Sequence, residues 1–288
     1  MQFDSLLRKE FEVSPWTFGE AGWILNMRVE RDWETGTIHL SQEAAIEKLA
    51  IRFGLHEAKE PKTPMEAGQT FVKPEEKDII PANEFDYMSA IGGLLYISLT
   101  TRPDISYAVG VLSRYMSCPS MQHVLAAQRV IGYLNSTKSF GLRYSRSRFE
   151  DQADVPHIVT EPMVYLHAAK AKAALDQDMI TYCDADLAGD KDTSRSTTGF
   201  CIVLFGAVVA WMSKLQSTVA LSTSEAETNA AVEAVKQIIH LRLFLREVGL
   251  QQVNPTIVFE DNKAAIAFTQ ATGNAKKTKH YSMKVHFL

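Results

Sequence analysis

Cysteine is scarce in this chain. Cys118, Cys183 and Cys201 lie far apart with no C-x-x-C pair, which excludes a disulfide framework, argues against a zinc knuckle and suits a reducing compartment. No apolar run approaches the roughly twenty residues that a membrane-spanning helix needs. The opening residues, Met1-Gln2-Phe3-Asp4-Ser5, lack the charged-then-apolar pattern of a secretory leader. A soluble, intracellular protein without a membrane partner is therefore expected. Excess charge is missing too: Lys+Arg 30 against Asp+Glu 34 leaves a net charge of −4. No global pull toward nucleic acid exists, and any such binding must rest on local basic surface. What the chain has is ordinary globular material, 46% hydrophobic and 22% charged over 288 residues, enough for one large core or two smaller ones.

The stretch from Met179 to Phe268 stands out because it sends three acids from three elements toward one place. Asp184 closes the strand-forming run Ile180-Thr181-Tyr182-Cys183. Glu227 lies early in a long amphipathic helix, Ser224 to Val248, whose Ala230, Ala234, Ile238, Leu241 and Leu245 recur at helical spacing before Gly249 stops it. Asp261 ends the apolar run Ile257-Val258-Phe259-Glu260 and, with Asn262, starts a helix signal from Lys263 to Gln270. Two strand ends and a helix start meet readily at one edge of a mixed sheet. Carboxylates gathered there repel one another unless a cation lies between them, and hard oxygen ligands suit Mg2+ or Mn2+. The expectation is a divalent-metal phosphodiester site on an α/β domain. Each acid also has a plainer role: the macrodipole favours Glu227 in an early turn, and Asp261 suits a helix cap. Asp186, two residues beyond Asp184 and so on the same strand face, is a secondary candidate.

Taken in order, the chain starts with a helical face at Asp4 to Phe11, a strand over Ala21 to Arg31, a turn at Glu34 to Thr37 and a second strand to Leu40. Ser41 reads as the cap of a helix that Gly54 ends. Residues 58–86 are charged and carry four prolines, Pro61, Pro64, Pro74 and Pro81, which suggests a linker or surface excursion. Three helices follow: Glu84 to Leu99 with Gly92-Gly93 permitting close packing, one from Pro103, and one from Pro119-Ser120. Phe140 to Tyr144 is a short strand, and Ser145 to Asp178 is a linker in which Val164 to Leu175 suits a helix. A strand hairpin turning at Gly206-Ala207 then precedes the long helix. Trp211 reads as core and His240 as a packed side chain. His280 and His286 are too loosely spaced for zinc.

The wording of these segments resembles copia-type retrotransposon Pol polyproteins, specifically the end of reverse transcriptase followed by ribonuclease H. The likeness is carried by Tyr182-Cys183-Asp184-Ala185-Asp186, Arg195-Ser196-Thr197-Thr198-Gly199, Ser222-Thr223-Ser224-Glu225-Ala226-Glu227, Asp261-Asn262 and Thr278-Lys279-His280. Upstream, Leu40-Ser41-Gln42, Thr63-Pro64-Met65, Ile91-Gly92-Gly93-Leu94-Leu95-Tyr96 and Thr101-Arg102-Pro103-Asp104 also match. The resemblance implies a ribonuclease H-like mixed sheet with flanking helices. Ahead of it would lie a mostly helical α+β segment, with a thumb-like remnant over 1–60, a connection over 61–144, a linker over 145–178 and the nuclease domain over 179–288.

It further implies a two-metal cut of the RNA strand of an RNA–DNA hybrid, with Asp184, Glu227 and Asp261 as catalytic carboxylates and ligands for Mg2+ or Mn2+. Glu227 is preferred to Glu225 on the family pattern. Arg195, Lys214, Lys276, Lys277 and Lys279 are candidates for phosphate contact. The remainder of a reverse transcriptase is the implied partner, in a cytoplasmic particle or the nucleus. Departures temper this: no Asp-Asp pair of a polymerase site occurs, Leu187 replaces a usual Trp, and the chain ends at Leu288 before the family's fourth acid. The alternative is a non-catalytic remnant that at most binds nucleic acid. An integrase, which shares the fold, fits the order and spacing of the acids less well.

Overall fold

Tight turns shape the N-terminal sheet. In a computed structural model describing residues 21–57, 60–145, 179–253 and 255–270, β1 (Trp23–Ile24) and β2 (Met27–Asp32) are joined through Leu25 and Asn26. Both turn residues have positive φ, 48° and 58°, the handedness that matches the twist of paired strands. The single strand expected over Ala21 to Arg31 is therefore itself a hairpin. Leu25 hides this, because the β-carbon of an apolar side chain disfavours positive φ and the residue is therefore not a turn signal. The next turn is legible: the Asp32 carboxylate accepts N–H bonds from Glu34 and Thr35 at 2.9 and 3.2 Å, and Gly36 takes φ 67°. The chain then returns as β3 (Thr37–Ser41).

Ser41 ends β3 and does not cap the helix. Gln42 precedes α1 (Glu43–Arg52) without a side-chain cap, and its Oε1 instead accepts the Thr101 hydroxyl at 2.7 Å. Thr101 closes α2 (Tyr87–Thr100), which starts under an Asp86 cap bonded to the Ser89 N–H. Two further helices follow, α3 (Ser106–Leu112) and α4 (Met121–Ser136), the latter opened by a capping box between Ser120 and His123. One core joins them all: Ile46, Ile91, Leu94, Ile105, Leu112 and Ile131 are buried together. α1 approaches α2 at Gly93, where a β-carbon would lie 2.7 Å from a Leu49 methyl. Phe71, from the proline-rich stretch, is buried in the same core, so that stretch is a packed excursion. β4 (Gly141–Ser145) then pairs antiparallel with β3, Leu142 opposite Leu40. The boundary expected near residue 60 falls inside this shared core. The segments Asp4 to Phe11 and Val164 to Leu175, expected to be helical, lie outside the described residues.

The second sheet is built from β5 (Ile180–Asp186), β6 (Thr197–Leu204), β7 (Ala207–Leu215) and β8 (Ile257–Phe259), in the order β7-β6-β5-β8. β5, β6 and β7 run antiparallel, and β8 lies parallel to β5 with Phe259 opposite Tyr182. The β6–β7 turn sits at Phe205-Gly206, both at positive φ, one residue before the expected place. The return to a parallel strand requires a crossover, and α5 (Thr223–Glu247) supplies it. Alternation in β5 sends Thr181, Cys183 and Ala185 inward, where Cys183 packs with Ala231 and Ala234 of α5. Tyr182, Asp184 and Asp186 face outward. α6 (Lys263–Gln270) follows β8.

The two sheets meet along β7 and the β6–β7 turn. Trp211 donates its Nε1–H to the Ser98 carbonyl at 2.8 Å, the Tyr144 hydroxyl donates to the Val208 carbonyl at 3.2 Å, and the Ser145 N–H to the Phe205 carbonyl at 3.0 Å. Trp211 is thus a seam residue. Trp211→Phe keeps the ring packing and loses one such bond, so a loss of about 1 kcal/mol is expected in urea unfolding. Among the described residues no helix is long and apolar enough to cross a membrane.

Candidate metal centre

Each of the three acids is placed by a different local device. Asp184 is the third residue from the end of β5, paired across the ladder with Gly199. Burial raises its carboxyl above the usual range, and the charge of Asp261 raises it further. Glu227 is placed by the start of α5. Ser222 caps that helix through its Oγ, accepting the Glu225 N–H at 3.2 Å, while Glu225 Oε2 accepts the Leu221 N–H at 2.9 Å. Glu225 is thus occupied at the helix start, its side chain reaching back to the residue before the Ser222 cap. Two residues on, Glu227 points inward and is only 3% exposed.

A buried amide relay fixes the same helical turn. Asn229 Nδ2 donates to Gln216 Oε1 at 2.9 Å, and Gln216 Nε2 donates to Thr198 Oγ1 and to the Ala226 carbonyl, both at 3.0 Å. These two amides tie β6 and β7 to the helix that carries Glu227. The sequence reading missed them, because nothing local distinguishes a tying amide from a surface one.

Asp261 is the second residue past β8, after Glu260, and is exposed. It is not the cap of α6: Asn262 Oδ1 accepts the N–H groups of Ala264 and Ala265 at 3.0 and 2.9 Å. Asn262→Ala is expected to cost about 1 kcal/mol and to fray α6, measurable by hydrogen exchange at Ala264 and Ala265. With the cap assigned elsewhere, the Asp261 carboxylate is left to the cluster.

One carboxylate oxygen each from Asp184, Glu227 and Asp261 lies within 4.8 Å of the other two. Burial pushes the Glu227 carboxyl up to about 8, helped by the charges of Glu260, Asp184 and Asp261. Its Oε2 is buried without a hydrogen-bond partner. An all-oxygen donor set, crowded like charges and an orphaned buried acceptor together fit a divalent cation of the Mg2+ or Mn2+ kind.

Glu260 is the acid that sequence reading left out. It accepts the Asn262 N–H at 2.9 Å and the Cys183 thiol at 3.4 Å, and it heads the charged neighbours that raise Glu227. Its place beside Asp261 was visible, but it was counted with the apolar run before it. Burial, then Glu260, push the Cys183 thiol far up, so it stays protonated.

Asp186 stands apart from the cluster. It packs against Gly189, where a β-carbon would lie 1.9 Å from its Oδ2, and it lines a cavity of about 580 Å³ with Tyr107, Arg114 and Asp190. Arg195 is half-buried in the β5–β6 loop, its carbonyl accepting the Asp190 N–H at 3.2 Å. Lys214 is placed differently from Arg195. It lies on β7 opposite Thr198, exposed, beside a groove of about 490 Å³ lined also by Gln216, Asn229 and Lys236. Lys276, Lys277 and Lys279 lie outside the described residues.

The chain matches no protein-family model and no solved structure. It is 33% identical, over 98% of its length, to a retrovirus-related Pol polyprotein from a transposon of Nicotiana tabacum, of which it spans 19%. To a retrovirus-related Pol polyprotein from a transposon of Arabidopsis thaliana it is 29% identical over 87% of its length, spanning 15% of that protein. The chain thus spans less than a fifth of the length of these two Pol polyproteins. A Plasmopara viticola protein described as a secreted RxLR effector is 38% identical over 56% of this chain and 94% of its own.

Proposed function

We propose a function for a chain that belongs to the copia-type, retrovirus-related Pol polyproteins of transposons: hydrolysis of the RNA strand of an RNA–DNA hybrid by a ribonuclease H-like domain over its C-terminal half. The observation that carries the reading is the convergence of Asp184, Glu227 and Asp261. The strand order β7-β6-β5-β8, antiparallel but for β8, supports the ribonuclease H-like fold. In this reading Asp184, Glu227 and Asp261 hold Mg2+ or Mn2+, which supplies an activated water and neutralises the departing oxygen.

The residues of the chain divide the remaining work. Glu227, inside the fold, keeps one donor oxygen aimed at the cluster. Asp184 and Asp261, at the surface, leave the face toward the substrate open. Gly199 beside Asp184 adds no side chain to obstruct a ribose-phosphate backbone. Lys214, exposed, and Arg195, half-buried, would contact phosphate through their positive charge. The remainder of a reverse transcriptase, within a parent polyprotein in the cytoplasm or nucleus, would be the partner.

The test is incubation with end-labelled RNA annealed to DNA, in Mg2+ and then Mn2+, beside RNA duplex and DNA duplex. Cleavage confined to the RNA of the hybrid is expected. A folded protein that leaves the hybrid whole would favour the other reading, a non-catalytic remnant, for which the cluster of three acids rather than four among the described residues speaks.

A further inference from the structure

Arg114, in the turn after α3, reaches across to the other sheet. Its Nη1 donates to Asp190 Oδ1 at 2.9 Å and its Nη2 to Thr197 Oγ1 at 3.2 Å. The Asp190 side chain is 4% exposed and that of Arg114 18%, so water hardly competes. The other oxygen of Asp190 accepts the Thr193 N–H at 3.0 Å. One carboxylate thus folds the β5–β6 loop on itself while Arg114 grips it from outside.

The loop is held again nearby. The Asp192 carboxylate accepts the Tyr115 hydroxyl at 3.1 Å and the Lys73 N–H at 3.0 Å. Inside the loop, the Ala188 N–H donates to Ser196 Oγ at 3.2 Å. This loop leaves β5 two residues after Asp184, and Thr197, which Arg114 contacts, pairs with Asp186 across the ladder. Arg114 also leaves its buried Nε without a partner. Its two terminal nitrogens meet Asp190 in the loop and Thr197, which lies opposite the last residue of β5.

We propose that Arg114 is a positioning residue for the metal centre: by gripping Asp190 and Thr197 it sets the end of β5, and with it the direction from which Asp184 meets Glu227 and Asp261. The N-terminal half is then part of the nuclease apparatus and not merely its neighbour. This rests on the nuclease reading above.

The test is titration of the full chain with Mg2+ alone, followed by the rise in melting temperature, for wild type and four variants. Arg114→Met keeps the aliphatic stem and removes the fork, and its Mg2+ affinity is expected to fall about 10- to 100-fold. Arg114→Lys, which retains a charge for Asp190, recovers part of that loss. Thr197→Val removes one contact and shows a smaller fall in the same direction, and it decides the matter if Arg114→Met does not fold. Arg129 bonds the Thr63 carbonyl at 3.2 Å and Glu66 at 2.9 Å within the N-terminal half. Arg129→Met is expected to lose metal-free stability with Mg2+ affinity unchanged. In hybrid cleavage, Arg114→Met lowers kcat and leaves KM for the hybrid in place. Wild-type Mg2+ affinity in both Arg114→Met and Thr197→Val overturns the proposal, however much stability is lost. A wild-type protein that shows no rise with Mg2+ defeats the nuclease reading first, and this proposal falls with it.

Discussion

Asp184→Asn is expected to lower cleavage of the hybrid's RNA strand by more than about 100-fold, because even groups that merely support metal ligands are worth 10–100-fold. The same substitution should make the metal-free protein more stable. Asn has the shape of Asp and lacks its charge, and the charge of Asp184 is one of those raising the Glu227 carboxyl. Removing it relieves the repulsion that the cluster suffers without a cation. Lost activity with raised metal-free stability is a combination that misfolding cannot produce. Single-turnover cleavage in Mg2+ and thermal melts in EDTA measure the two halves. Unchanged cleavage, or lower stability in EDTA, would count against the assignment.

Metal-free protein should also lose stability as the pH rises from about 5 to 8. Glu227 has an ordinary value of 4.5 and is pushed up to about 8 in the fold. Below pH 4.5 both folded and unfolded chains hold this proton, so the stability is fully present there and does not change with pH. Between the two values the unfolded chain releases the proton while the folded chain keeps it. Stability therefore falls by up to about 1.4 kcal/mol per pH unit, reaching its full loss above pH 8. Asp184 and Glu260, also raised chiefly by burial, add in the same direction. Asp190 is raised by burial but held below its usual value on balance by Thr193 and Arg114, so its contribution is lost only in more acid solution, outside this window. Urea unfolding in EDTA between pH 5 and 8.5 reads the slope. Glu227→Gln should flatten it, and saturating Mg2+ should flatten it in the wild type, since a cation bound only by the folded state stabilises it by mass action. A flat profile in EDTA would mean that Glu227 is not held as described.

The parts of the fold that were legible have local causes. Gly249, at φ 80°, stops α5 where a residue free to adopt a left-handed conformation was needed. The start of α6 just after Asp261 was visible, although its cap is Asn262 and not Asp261. Asp184 and Asp261 stood out because an acid at the end of an apolar run breaks the pattern around it. What escaped depends on distant partners. Ser41 had the chemistry of a cap, but pairing with Gly141 across the sheet keeps it in a strand. Gln42 is an ordinary amide until Thr101 meets it, and so are Gln216, until Thr198 and the Ala226 carbonyl meet it, and Asn229, until Gln216 does. The resemblance named the carboxylates. It had no means of naming Arg114, whose role depends on contact between segments nearly eighty residues apart, |i−j|=76 for its bond to Asp190.

The pairing of β3 with β4 has a consequence for synthesis. Leaving the ribosome, β2 and β3 can close on each other at once, but the outer edge of β3 must wait for the segment between Ser41 and Gly141 to be made. At about 5–20 residues per second that wait is roughly 5–20 s. Throughout it, a strand with unpaired N–H and C=O groups is open to any neighbouring nascent chain. Translation speed through the helices should therefore govern how much of this protein reaches its native sheet.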